Sequence, residues 1–375
     1  MDEKITSVTV EKRYKRYLLR RFICRIVLCV IAVGALTASA AVKLSDVFSA
    51  ESLAEKAFDG RITVIKENEE SNDKTEYDIP DEAKDIHPED QDNNDNNIIN
   101  NEDTGENSAA DLFPIIYSDL SRSPEYGEVI INSGETDYDI DADEIRSMNY
   151  PAKLTSAGSS GDSSPIVLIV HTHTTESYVE GGEDGYCDKE DFRTTDIEKN
   201  VVAVGKVILD KLCENGIPAV QCTTLHDTGD FYESYEKCEQ SVKEYLEKYP
   251  GIRYILDVHR DSITRNDNEQ IATEAEIDGI RAAQLMFVVG TDKFGADHPD
   301  WKQNLRVAVS LQSRLNSAYR NIARPISLRG ASFNEQYSPG YLLLEVGSCA
   351  NTLEEAKISA SAFAEIYAGL IKEYR

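Results

Sequence analysis

Residues 165–176 read Pro-Ile-Val-Leu-Ile-Val-His-Thr-His-Thr-Thr-Glu. The unbroken apolar run from Ile166 to Val170 predicts a strand buried on both faces. Polar chemistry starts where the run stops, at His171, His173 and Glu176.

Outward from this stretch the pattern repeats. Residues 198–213 place Val201, Val202, Val204, Val207, Ile208 and Leu212 on one helical face, closed by Asn215-Gly216. A short strand is expected over 217–223 and a more polar helix over 232–249, stopped by Pro250. Residues 254–258 form another buried strand and stop at His259-Arg260-Asp261. A strand over 286–289, a helix over 304–321, a strand over 341–344 stopping at Glu345, and a helix over 356–374 complete the series. This alternation predicts an α/β domain with a mostly parallel central sheet flanked by helices. Ligands of such folds gather beyond the carboxyl ends of the strands. Three strands deliver His171 with His173, His259, and Glu345 to that edge.

Imidazoles and carboxylates at one edge suit a hydrolytic zinc site, in which two or three protein ligands leave a position for water. The metal acidifies that water and polarises the scissile carbonyl, while a further carboxylate moves the proton to the leaving amine. A serine nucleophile at Ser177 or Ser262 is the chemical competitor, and neither lies in a G-x-S-x-G elbow.

The rest of the chain divides by charge. The 375 residues carry a net charge of -29, which excludes a nucleic-acid partner that reads a phosphate backbone with a basic face. Residues 1–21 form a basic segment expected in the cytoplasm, and 22–42 an apolar span expected to be a transmembrane anchor. A cleaved signal peptide is the competing reading, since Ala38-Ser39-Ala40 is a small-residue pattern. Residues 43–111 are expected to be a disordered acidic linker, with 17 acidic and 3 basic residues between 66 and 111. Residues 112–162 form a partly ordered lead-in, and 163–375 the catalytic domain. The seven cysteines include no CxxC and suggest no cysteine-based metal site.

His171-Thr172-His173-Thr174-Thr175-Glu176-Ser177-Tyr178, Glu198-Lys199-Asn200-Val201, Asp257-Val258-His259-Arg260-Asp261 and Leu344-Glu345-Val346-Gly347-Ser348 with Asn351 resemble the stage II sporulation protein P family. That family looks like a variant of the zinc N-acetylmuramoyl-L-alanine amidases. The resemblance implies Zn2+ as cofactor, Glu345 as catalytic carboxylate, and His259, Glu198 and one or both of His171 and His173 as ligands. The amidases' glycine-rich turn at the first histidine is absent here, which makes Glu176 a rival ligand to Glu198. Glu176, Arg260, Asp261 and His226 then stand behind the ligands or against substrate, with His226 equally readable as structural. The implied activity is hydrolysis of the amide between N-acetylmuramic acid and the peptide stem during engulfment in endospore formation, with endopeptidase action as a second possibility. The implied setting is the septal and engulfing membrane, with peptidoglycan as substrate and stage II sporulation proteins D and M as partners. A non-catalytic wall-binding scaffold of the same fold is the alternative, and a zinc peptidase acting on acidic peptides a more distant one.

Overall fold

The computed structural model describes residues 61–67, 73–75, 112–155, 164–180, 185–187, 192–229, 233–265 and 269–374. All of them fall in the compact unit Ala54–Arg375. The expected basic segment and apolar span lie outside the described residues. Among the described residues no helix is long and apolar enough to cross a membrane.

Eight strands form the central sheet: β1 (Ile62–Ile65), β2 (Val129–Asn132), β3 (Val167–Val170), β4 (Ala219–Gln221), β5 (Tyr254–Asp261), β6 (Leu285–Gly290), β7 (Ile326–Arg329) and β8 (Gly340–Ser348). Their order is β1-β2-β7-β6-β8-β5-β3-β4. The sheet is mixed, which corrects the expectation of a mostly parallel one. β3, β4, β5 and β8 run one way, β1, β2, β6 and β7 the other, and the two parallel blocks meet at the antiparallel β6/β8 junction, where Met286 faces Glu345.

A second correction concerns the acidic linker. Residues 62–65, Ile-Thr-Val-Ile, form edge strand β1, in register with Val129–Asn132. The strand Asp73–Thr75 pairs with Ile263–Arg265. The lead-in is also built into the fold: β2 is inside the main sheet, and Ile115–Ser118 pairs parallel to Glu269–Thr273 in the smaller sheet. The rest of the expected linker, residues 43–60, 68–72 and 76–111, lies outside the described residues.

The longer helices among the described residues are α1 (Ala142–Ser147), α2 (Val201–Glu214), α3 (Ser234–Lys248), α4 (Trp301–Ala318) and α5 (Leu353–Tyr374). Strand alternation divides the core between the two faces. Val167, Ile169, Leu256, Val258, Leu342 and Leu344 join one large cluster with α2, α4 and α5. Leu168, Val170, Ile255 and Tyr341 join a smaller one with Cys238 and Val242 of α3. Cys222, Cys238 and Cys349 are buried free thiols, and Cys213 is exposed.

Helix α2 starts at Asn200, whose side chain accepts from the Val202 N–H, and ends where Gly216 turns the chain at φ 75°. It packs closely against the sheet end at Gly205. A Cβ there would lie 2.6 Å from Cε1 and 2.7 Å from Nε2 of His171, and 2.6 Å from Nε2 of Gln221. Gly205→Ala should therefore destabilise the fold by about 1–3 kcal/mol despite alanine's better helix propensity. Urea unfolding monitored by circular dichroism checks this; an unchanged or raised midpoint would show that α2 is free to shift away.

Candidate active site

Strand β3 ends at Val170, and a turn over Thr172–Thr175 follows at once. The turn is fixed by its own side chains. The Thr172 N–H (2.9 Å) and hydroxyl (2.6 Å) donate to Asp257, and the Thr174 hydroxyl donates to the His171 and Thr224 carbonyls. Thr175 donates through N–H and hydroxyl to Asp227.

This turn separates the two histidines that an extended strand would have kept on one face. His171 is fully buried and committed to structure: Nδ1 donates to the Val258 carbonyl at 3.0 Å, and Nε2 accepts from Gln221 at 2.9 Å. Burial lowers its pKa to about 4, so it stays neutral. His173 instead packs edge-on against His259, with ring centroids 5.4 Å apart, and against Tyr235 at 5.5 Å. Burial also makes His173 neutral, with a pKa near 3.

His259 and Glu345 are directly opposite in the parallel β5/β8 register, on the face away from α2. Behind them Asp257, buried in the middle of β5, lies 3.0 Å from His259 Nε2. Asp257 also receives the Thr172 donors and the Tyr341 hydroxyl at 3.2 Å. Glu176 approaches His259 Nδ1 at 3.6 Å and accepts from the Arg260 N–H at 3.1 Å. Burial opposes a charge on His259, but the carboxylates of Asp257 and then Glu176 outweigh it and hold the imidazole's pKa well above the ordinary value. Desolvation likewise opposes ionisation of Glu176 and Asp257, and the surrounding cations, Arg260 first for Glu176 and His259 first for Asp257, keep both pKa values depressed.

Glu345 has the opposite environment. Burial, with the negative charges of Asp261 and Glu176 added, raises its pKa to about 8 against the pull of His259. Its Oε2 is buried with no hydrogen-bond partner among the described residues. Carboxyls whose environments push their proton affinities apart are what acid–base chemistry requires.

The remaining expected residues are placed as follows. Arg260 is spent on the protein, donating to the Ser177 and Phe192 carbonyls, both at 2.9 Å. Asp261 is tied to Arg324 and the Ser262 N–H. His226 uses both ring nitrogens, on the His171 carbonyl and Ser241 Oγ, and serves structure. Glu198 is exposed in the turn before α2 and is not brought to the cluster. Asp257, Asp227 and Tyr235 sit in or beside the family-like blocks, but sequence reasoning assigns them no role at the site. For Asp257 a signal was present: a carboxylate inside the buried run 254–258 must have partners.

The donor types of His173, His259 and Glu176 fit zinc, and Asp257 behind His259 is the kind of partner that orients a ligating imidazole. Among the described residues, no group of three His, Cys, Asp or Glu side chains is gathered closely enough to hold a metal ion. The fit is therefore one of chemistry.

The family described as stage II sporulation protein P matches residues 46–368. The chain belongs to the stage II sporulation protein P family. A curated member, stage II sporulation protein P of Bacillus subtilis (strain 168), is 30% identical over 213 residues, covering 54% of this chain and 50% of the relative. The chain thus spans about half the length of the curated family member it matches. Among solved structures, the apo form of the N-acetylmuramyl-L-alanine amidase Ami1 from Mycobacterium abscessus is similar at 12% identity, covering 56% of this chain and 98% of that one, with a TM-score of 0.31. A likeness at that level carries no argument about activity.

Two outcomes follow from the geometry. His171→Ala removes a fully buried ring with both nitrogens bonded and should cost about 2–4 kcal/mol; His173→Ala, which removes a ring packed edge-on against His259 and Tyr235, should cost clearly less in the same urea titration. Equal losses would contradict the division of roles. A carboxyl whose proton affinity rises on folding stabilises the fold fully below its unfolded value near 4.5 and loses that contribution as pH climbs through about 8. In the presence of a chelator, Glu345→Gln should therefore be more stable than wild type at pH 8 by at least about 1 kcal/mol and show a shallower decline between pH 5 and 8. Parallel stability profiles for the two proteins would rule out the perturbed carboxyl.

Proposed function

We propose that this stage II sporulation protein P family chain is a peptidoglycan hydrolase that cleaves the N-acetylmuramoyl-L-alanine amide with the help of zinc. The observation that carries the reading is the placement of Glu345 beside His259 in the β5/β8 register, with Glu176 and His173 closing around them. His173, His259 and Glu176 would hold the metal, and Asp257 would fix the orientation of His259. When bound, zinc supplies an acidified water and polarises the scissile carbonyl.

The protein's own groups do the rest. His259 must release its proton to become a ligand, so the cluster favours metal uptake at higher pH. Cationic charge brought to the cluster lowers the pKa of Glu345, converting a neutral carboxyl into a base. Glu345 then takes the proton of the attacking water and returns it to the departing alanine nitrogen. Arg260 holds the Glu176–Ser177 segment in place through the Ser177 and Phe192 carbonyls. A wall substrate implies that this domain works outside the cytoplasm, with stage II sporulation proteins D and M as partners in the same reading.

A wall-binding scaffold is the second reading, favoured by the ungathered ligand set among the described residues. Stem-peptide release from purified peptidoglycan, followed by chromatography with zinc added, separates the two. Wild type should release peptides, and Glu345→Gln should be slower by about 100-fold or more. Undiminished release by Glu345→Gln would remove the proposed base, and retention of wild type on peptidoglycan with no release would leave the scaffold.

A further inference from the structure

Three arginines stand near the histidine–carboxylate cluster, and they differ in exposure. Arg260 is buried and spent on two backbone carbonyls and Glu176. Arg324 is buried against Asp261. Arg193 is seated just as firmly, but its side chain is 31% exposed.

The seat of Arg193 is made of backbone and a buried acid. Arg193 forms an antiparallel bridge with Glu176, and flanking backbone bonds run from the Ser177 N–H to the Phe192 carbonyl and from the Thr194 N–H to the Thr175 carbonyl. Its Nη1 donates to Asp227 Oδ2 at 3.1 Å. Asp227 also receives the Thr175 N–H and hydroxyl, so the guanidinium is one of several donors that hold it. The positive charge of Arg193 is felt at His173, where it is one of the influences lowering the ring's proton affinity. A seated, partly open guanidinium therefore stands beside a cluster in which the carboxylates of Glu176 and Asp257 are already matched by His259 and Arg260. Planar guanidinium groups in such positions recognise carboxylates through paired charge-assisted hydrogen bonds.

We propose that Arg193 is a specificity-determining residue that binds a carboxylate of the substrate's peptide beside the scissile amide. This rests on the peptidoglycan reading above. In that substrate class the second stem residue, D-glutamate, follows the alanine and carries an α-carboxyl that is either free or amidated. Arg193 selects the free form. An acidic domain gains from this arrangement, because a single placed cation draws an anionic peptide into a site whose general charge would repel it.

The test uses the full chain with zinc and two defined compounds, N-acetylmuramoyl-L-alanyl-D-glutamate and its amide, N-acetylmuramoyl-L-alanyl-D-isoglutamine. Turnover is read by chromatography and binding by calorimetry on Glu345→Gln. Wild type should favour the free acid by about tenfold in KM with little change in kcat. Arg193→Gln should erase that preference, and Arg193→Lys should retain part of it while remaining as thermally stable as wild type. Equal turnover of the two compounds by wild type, or a preference that survives in Arg193→Gln, would overturn the assignment and leave the hydrolase reading standing. Equal weakening of both compounds in Arg193→Gln, together with a lowered melting temperature, would also overturn it, as would loss of preference in Arg193→Lys with that loss of stability; the arginine would then only seat Asp227. If wild type neither cleaves nor binds either compound, the peptidoglycan reading itself fails and takes this assignment with it.

Discussion

The imidazole of His259 lies between two carboxylates, Asp257 at 3.0 Å and Glu176 at 3.6 Å, inside a sheet edge closed to solvent. Burying one such charge is costly, and burying three is tolerable only if they are mutually paired and further hydrogen-bonded. Much of the surrounding structure can be understood as meeting that condition. Thr172 and Tyr341 serve Asp257, the Arg260 N–H serves Glu176, and the turn 172–175 exists in its observed form because its donors have fixed acceptors to reach. Removing one member would leave the others desolvated, so the cluster is a poor stabiliser and a strong determinant of local shape.

The same cluster explains why neighbouring carboxyls behave so differently. Glu345 is adjacent to His259 in register, yet it also faces the negative charges of Asp261 and Glu176, and its buried Oε2 has no hydrogen-bond partner among the described residues. Its pKa rises to about 8 while that of Glu176 falls. A cation or hydrogen-bond donor brought close to Glu345 would lower its pKa again. The register shift between Glu345 and Ser348 lies just beyond it, and Gly347, at φ 74° with Ala283 and Asn351 against its α-carbon, is the residue that allows the strand to bulge there.

Which parts of this were legible in the sequence follows from the kind of signal each part leaves. The apolar runs 167–170, 254–258 and 341–344 are read directly as buried strands, but only the first ends where its polar residues begin: β5 continues through His259 to Asp261 and β8 through Glu345 to Ser348. Strand direction leaves no such mark: 285–290 and 340–348 read alike as buried runs, so their antiparallel pairing was missed. Edge strand β1 was hidden because the window around it is acidic, although residues 62–65 alone alternate acceptably for a strand with one covered side. The assignment of His171 and His173 to one face assumed that the strand continues to 173, whereas the threonines following Val170 favour a side-chain-bonded turn. Glu198 looked like a helix-opening ligand because α2 was expected to begin there; the helix is capped by Asn200 instead.

The proposed function requires His173, His259 and Glu176 to act as one metal-binding centre. Zinc K-edge X-ray absorption on the full chain loaded with one equivalent of zinc tests it most directly. The account predicts a first coordination sphere of two imidazole nitrogens with oxygen donors and no sulfur, and loss of one imidazole in both His173→Ala and His259→Ala but not in the exposed Glu198→Ala variant. A spectrum containing sulfur, or one unchanged by both histidine substitutions, would contradict it.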